Sequence, residues 1–237
     1  MVLSADILYK KLFKFRNSAK AKILLRFFKT GPGEYGEGDV FLGLTVPETR
    51  KVAKEFKDLS FKELQKILNS SWHEVRLAGL LILVMKYNEV EKNTKEEKKI
   101  ITFYIKNIKN INNWDLVDLS CSYILGAYLF NRDRQLLYKL SKDKNMWARR
   151  IAIISTFYFI KNKDLDDTYK IAYILLKDEQ DLMHKAVGWM LREAGKRNKV
   201  RLENFLIKNK KNIHRMTWRY AIEKFPEKQR QEFLKIK

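Results

Sequence analysis

The chain has one cysteine, Cys121, in 237 residues. That excludes an internal disulfide and a cysteine-rich metal centre and fits a reducing compartment; Cys121 itself reads as a small buried apolar side chain. The three histidines are scattered and form no HExxH metal helix. Apolar runs are short: the longest, Leu77 to Met85, is far below the roughly 20 residues that a membrane-spanning helix needs. From Ile7 to Phe28 apolar and basic residues alternate, without the compact apolar block and small-residue cleavage site of an export signal. The expected location is the cytoplasm, in a prokaryote at the nucleoid.

Chain breakers are few as well, with three prolines and nine glycines. Five of those glycines, with Pro32, fall between Gly31 and Gly43, which leaves the rest of the chain free to form helices. Start signals recur where a hydroxyl precedes a glutamate by three residues: Thr45 and Glu48, Ser60 and Glu63, Ser71 and Glu74, Thr94 and Glu97. Pro47 sits where a first helical turn accepts proline. The β-branched and aromatic stretch from Ile151 to Ile160 could pass for a buried strand, but no turn signal separates it from Trp147, so it reads as helix.

A basic residue beside small and apolar residues recurs at Arg76 (VRLAGLLIL), Arg150 (RRIAIIS), Lys185 (HKAVGWML) and Arg219 (WRYAIEKF). The first gap is about twice the later ones, and a helix expected to start around Asn113 fills the missing place. The implied unit is a helix pair of the HEAT type. Stacked antiparallel pairs would give an all-α, right-handed solenoid, one domain over residues 1–237, whose second helices line a concave basic face. Any single one of these cations could equally brace a neighbouring turn.

What the chain has in excess is positive charge: 49 Lys and Arg against 28 Asp and Glu, a formal +21. Such self-repulsion is most simply tolerated for a polyanionic partner. With 46% hydrophobic and 13% aromatic residues the chain is not a disordered polycation. Between Lys196 and Arg219 Lys and Arg recur, with Glu203 the sole acid, a phosphate-binding composition that predicts salt-dependent duplex binding. No finger-spaced cysteines and histidines, RNP-like strand or leucine heptads are present to read base sequence. All five tryptophans (Trp72, Trp114, Trp147, Trp189, Trp218) stand within four residues of a Lys, Arg or Asp. Such interleaving can hold a sugar or base as well as a phosphate, although large aromatics also serve packing.

In NNWDLVD, Asn112 to Asp118, the spacing stacks Trp114 and Asp118 on one helical face. A carboxylate facing a polyanion is electrostatically unwelcome unless it has a task, which makes Asp118 the candidate for chemistry. An ion pair with Arg149 or Arg150 of the next repeat is the alternative use for it. A phosphate-cradling glycine loop and a Ser, His and Asp arrangement are both missing, and no metal or cofactor is called for.

NNWDLVD, MWARRIAI from Met146 to Ile153, HKAVGWMLRE from His184 to Glu193, and GPGEYGEGDVFLGLTVPETR from Gly31 to Arg50 together resemble the segments of the AlkD-type alkylpurine DNA glycosylases. By that resemblance Asp118 matches the catalytic aspartate, Trp114 and Trp189 the aromatic pair beside the lesion's deoxyribose, and Arg150 the arginine on the nearby phosphate. Asn113 stands where some relatives carry a second tryptophan, which bears on substrate preference. Further DNA contacts are expected from Arg149, Trp147, Lys185, Arg192, Arg76, Arg215 and Arg219. The implied activity is monofunctional hydrolysis of the N-glycosidic bond of 3-methyladenine or 7-methylguanine in duplex DNA, the opening step of base excision repair, by a monomer with no membrane partner. A helical-repeat protein that binds branched or damaged DNA without cutting it is the rival, and an adaptor for an acidic protein is a second.

Overall fold

The computed structural model describes residues 3–237. The all-helical expectation holds: among the described residues extended pairing is limited to one isolated bridge, between Val40 and Trp72. The helices gather into two compact units, one ending at Ser120 and one beginning at Cys121.

The first unit runs α1 (Ala5–Phe13), α2 (Ser18–Phe27), the glycine-rich segment, α3 (Val46–Lys54), α4 (Phe61–Leu68), α5 (His73–Glu89), α6 (Lys95–Lys106) and, after a tight 3-10 turn, α7 (Trp114–Asp118). α5 is the axis of this unit. It is buried on nearly every side, with α3 and α4 packed on it, as expected of a helix apolar all round. The glycine-rich segment docks on the start of α5, and at Gly43 it needs a residue without a Cβ. There φ is +90°, and an added Cβ would lie 2.1 Å from the Asn17 carbonyl oxygen.

The four expected capping boxes come out differently. At α3 both halves form, Thr45 accepting from the Glu48 N–H and Glu48 from the Thr45 N–H. At α4 Ser60 caps, but the Glu63 carboxylate accepts from the Ala5 N–H at 2.8 Å and so ties α1 to α4. At α6 Thr94 caps while Glu97 takes the Asn93 N–H. The Ser71–Glu74 box does not form: α5 begins after Trp72 without a side-chain cap, and Glu74 is used elsewhere.

The second unit starts with buried Cys121 and a π turn, Ser122–Gly126, and continues through α8 (Ala127–Leu129), α9 (Gln135–Leu140), α10 (Met146–Lys161), α11 (Asp166–Ile174), α12 (Asp181–Gly195), α13 (Lys199–Asn209), α14 (Arg215–Ala221) and α15 (Glu227–Ile236). The ambiguous stretch is helix, inside α10, where burial outweighs the weak helix preference of β-branched residues. α10, α12 and α14 pack in succession, and α9, α11 and α13 alternate with them along the chain, so this unit has the order of stacked helix pairs. α12 and α14 approach closely, and a Cβ on Gly188 would lie 2.5 Å from that of Tyr220.

Candidate active site

α7 is five residues long and its two ends carry Trp114 and Asp118, both half-buried. Asn113 caps it: its Oδ1 accepts from the Trp114 N–H at 2.8 Å, and its Nδ2 donates to Asp39 at 3.0 Å. The helix expected near Asn113 therefore starts at its neighbour, with Asn113 as the buried cap. Trp114 lies nearly parallel to Phe28, with ring centres 5.2 Å apart, and meets the exposed ring of Phe27 edge-on at 5.9 Å. Phe28 in turn stacks on Phe41, and Phe41 on the imidazole of His73 at 4.6 Å.

Under this aromatic stack is a buried charge cluster. His73 Nδ1 is 3.1 Å from an Asp39 oxygen and its Nε2 is 2.8 Å from an Asp115 oxygen. Arg76 donates to the other Asp39 oxygen and to the Ser70 carbonyl. Burial works against a charged His73, yet Asp115 and then Asp39 overcome it and push its pKa up to about 9. Burial likewise works to raise Asp39, but the His73, Arg76 and Asn113 contacts outweigh it and hold its carboxyl below the usual range. Next to His73, Glu74 accepts the backbone N–H groups of Leu42, Gly43 and Leu44 at 2.8 to 3.1 Å. Consecutive residues of α5 thus fasten the glycine-rich segment.

In the second unit α10 carries Trp147, which is buried, with Arg149 and Arg150. Arg149 makes a two-point ion pair with Asp178 and also donates to the carbonyls of Asp143 and Lys144. Arg150 is 5% exposed and donates from one Nη to the Leu182 carbonyl in the first turn of α12, at 2.7 Å. On α12, Lys185 and Trp189 are half-buried, and Arg192 pairs with Glu193 and Glu223. Trp189 contacts the ring of Phe157 at 5.8 Å, and the ammonium of Lys161 lies over both Phe157 and the exposed Tyr123, at 4.4 and 5.3 Å. Arg215 and Arg219 on α14 are exposed, and Arg215 donates to the Lys237 carbonyl.

This geometry belongs to a chain whose residues 8–225 match the family model described as DNA alkylation repair enzyme. The chain belongs to the DNA alkylation repair family. It is also similar in fold to a solved structure titled "Predicted DNA alkylation repair enzyme from Enterococcus faecalis", with a TM-score of 0.67 at 16% identity over 90% of this chain and 97% of that one. No curated protein matches the chain.

For this DNA alkylation repair family member the structure revises one expected contact. Arg76 faces inward, 4% exposed, with both terminal nitrogens used on Asp39 and Ser70, so it braces the fold instead of meeting a phosphate. The four recurring cations differ in exposure: Arg76 and Arg150 are buried, Lys185 is half-buried and Arg219 is exposed. Sequence reasoning missed His73, Asp39 and Asp115 in one unit and Phe157, Lys161 and Tyr123 in the other. The sole hint of the first group was WHEVR beside two acidic residues inside already recognised motifs. Among the described residues no group of His, Cys, Asp and Glu is placed to hold a metal ion, and no helix is long and apolar enough to cross a membrane.

Proposed function

We propose that the protein is a monofunctional glycosylase that excises cationic alkylated purines, such as 3-methyladenine and 7-methylguanine, from duplex DNA. The observation that carries this reading is the pairing of an indole and a carboxylate at the two ends of one short, firmly capped helix in a chain of the DNA alkylation repair family. A purine alkylated at N3 or N7 already bears positive charge, so its glycosidic bond is weak. As the bond breaks, its electron pair neutralises the departing base and the cation passes to the deoxyribose. Asp118 stabilises that cation and orients the water whose oxygen bonds to the sugar carbon, with one proton released. The face of Trp114 attracts the same cation.

Phosphate contacts in this reading come from Arg150, whose guanidinium is oriented by the Leu182 carbonyl, and from exposed or half-buried cations such as Lys185, Arg215 and Arg219. Trp147, Arg149 and Arg192 support these helices through packing and ion pairs. The chain acts as one domain and as a monomer, at the first step of base excision repair. Incubation with methylated duplex and mass spectrometry of released bases tests the proposal. Free 7-methylguanine supports it, whereas a gel shift without free base assigns the protein to non-enzymatic binding.

A further inference from the structure

Asp39, His73, Arg76 and Asp115 are each 6% exposed or less and lie together beneath α7. A neutral imidazole has one N–H, yet both nitrogens of His73 are within hydrogen-bond distance of a carboxylate oxygen. Two ionised carboxylates are satisfied only when the ring carries both protons. With Arg76 on the second Asp39 oxygen, two cations offset two anions, the condition under which charges can remain buried. Apolar side chains would fill this space at less cost in desolvation, so the cluster points to a geometric task.

The cluster joins three stretches of chain that are far apart in sequence. Asp39 belongs to the glycine-rich segment, His73 and Arg76 to α5, and Asp115 to α7. At five residues, α7 is too short to hold itself by its own hydrogen bonds, so its direction depends on its anchors. Those anchors are Asp115 on His73 and the Asn113 cap on Asp39. A second route runs through rings, because His73 stacks on Phe41 and lies 4.9 Å from Phe28, which carries Trp114.

We propose that the Asp39–His73–Asp115 bridge is the positioning device of the site, clamping α7 to α5 and to the glycine-rich segment so that Trp114 and Asp118 are held in place. This rests on the roles given above to Trp114 and Asp118. His73 acts through α7 and is a positioning residue, not a catalytic one. The charged groups that face its ring are Asp39 and Asp115, with Arg76 reaching it through Asp39 and Glu74 turned away to the backbone of residues 42–44.

The test uses the full chain labelled with 5-fluorotryptophan, each fluorine resonance assigned by a single Trp→Phe replacement. His73→Gln removes the positive charge and puts both N–H donors on one nitrogen, whereas the two carboxylates are met by the two separate nitrogens of the imidazole ring. The expected result is that the Trp114 resonance shifts or broadens while those of Trp147, Trp189 and Trp218 stay, and that single-turnover release of 7-methylguanine falls at least ~10-fold with duplex affinity near the wild-type value. The wild-type rate should also decline as pH rises through about 9, and Asp115→Asn should move that decline to lower pH. If His73→Gln does not fold, Asp115→Asn, which keeps a hydrogen bond but removes one charge, serves for the same readings. An unchanged Trp114 resonance, an undiminished release rate, or an equal shift of all five tryptophans in a folded variant would overturn the clamp. Should the wild type release no base, the glycosylase reading fails, and the Trp114 resonance alone still decides the clamp.

Discussion

The ring of Trp114 lies on the ring of Phe28 with a tilt of 19°. Phe28 is 6% exposed and its neighbour Phe27 is 61% exposed, so the two phenylalanines separate packing from surface contact. Phe28→Ala should cost about 3 kcal/mol and Phe27→Ala less than about 1 kcal/mol, measured by urea unfolding. If Trp114 relies on this stack, Phe28→Ala should also slow base release more than its loss of stability alone explains at a temperature where it stays folded. Equal stability of the two variants would show that Phe28 is not the support.

Gly43 should not tolerate a side chain. Its φ of +90° and the 2.1 Å approach to the Asn17 carbonyl predict that Gly43→Ala destabilises by more than ~1 kcal/mol. Gly38, with φ +84° and open space around it, carries the conformational cost without the collision, so Gly38→Ala should be the milder change in thermal melting. A reversed order would contradict the packing of the glycine-rich segment.

Stability should depend on pH through the buried cluster. His73 has a folded-state pKa raised from 6.5 to about 9, so its contribution is complete below pH 6.5 and is lost as pH rises through about 9. Asp39 is shifted downward, so its contribution is present above its ordinary value of 3.8 and is lost on further acidification. Urea midpoints should therefore be highest on the mildly acidic side of neutral and fall on the alkaline side before lysines titrate. A midpoint constant from pH 7 to pH 10 would mean that His73 is not held as the cation.

Two arginines of the repeated basic position should behave oppositely. Arg219→Ala, at an exposed site, should leave folding intact and lower the salt slope of duplex binding by about one unit. Arg76→Ala, which takes the guanidinium from the buried Asp39 and leaves it only His73 and Asn113, should leave that slope unchanged and cost roughly 3 kcal/mol or more in stability. Binding titrations from low to moderate salt, paired with urea melts, check both.

These two arginines also show what was legible beforehand. Helix class, the α3 capping box, the helical nature of residues 151–160 and the helix start beside Asn113 all follow from patterns confined to a few residues. Whether a periodic arginine meets a phosphate or a buried carboxylate does not, because Asp39 is remote in sequence from Arg76. Glu74 shows the same limit. Its spacing from Ser71 fits a cap, but three backbone donors from residues 42–44 offer the carboxylate more than one helix-start N–H can. Asp115 lay unnoticed between Trp114 and Asp118 because its partner, His73, is supplied by another helix.

The most direct measurement is single-turnover excision from duplex DNA containing 7-methylguanine by the wild type and by Asp118→Asn, with duplex affinity measured in parallel. The variant is expected to bind as tightly and to release base at least ~100-fold more slowly. Wild-type release by an Asp118→Asn protein that still binds DNA would remove this carboxylate from the chemistry.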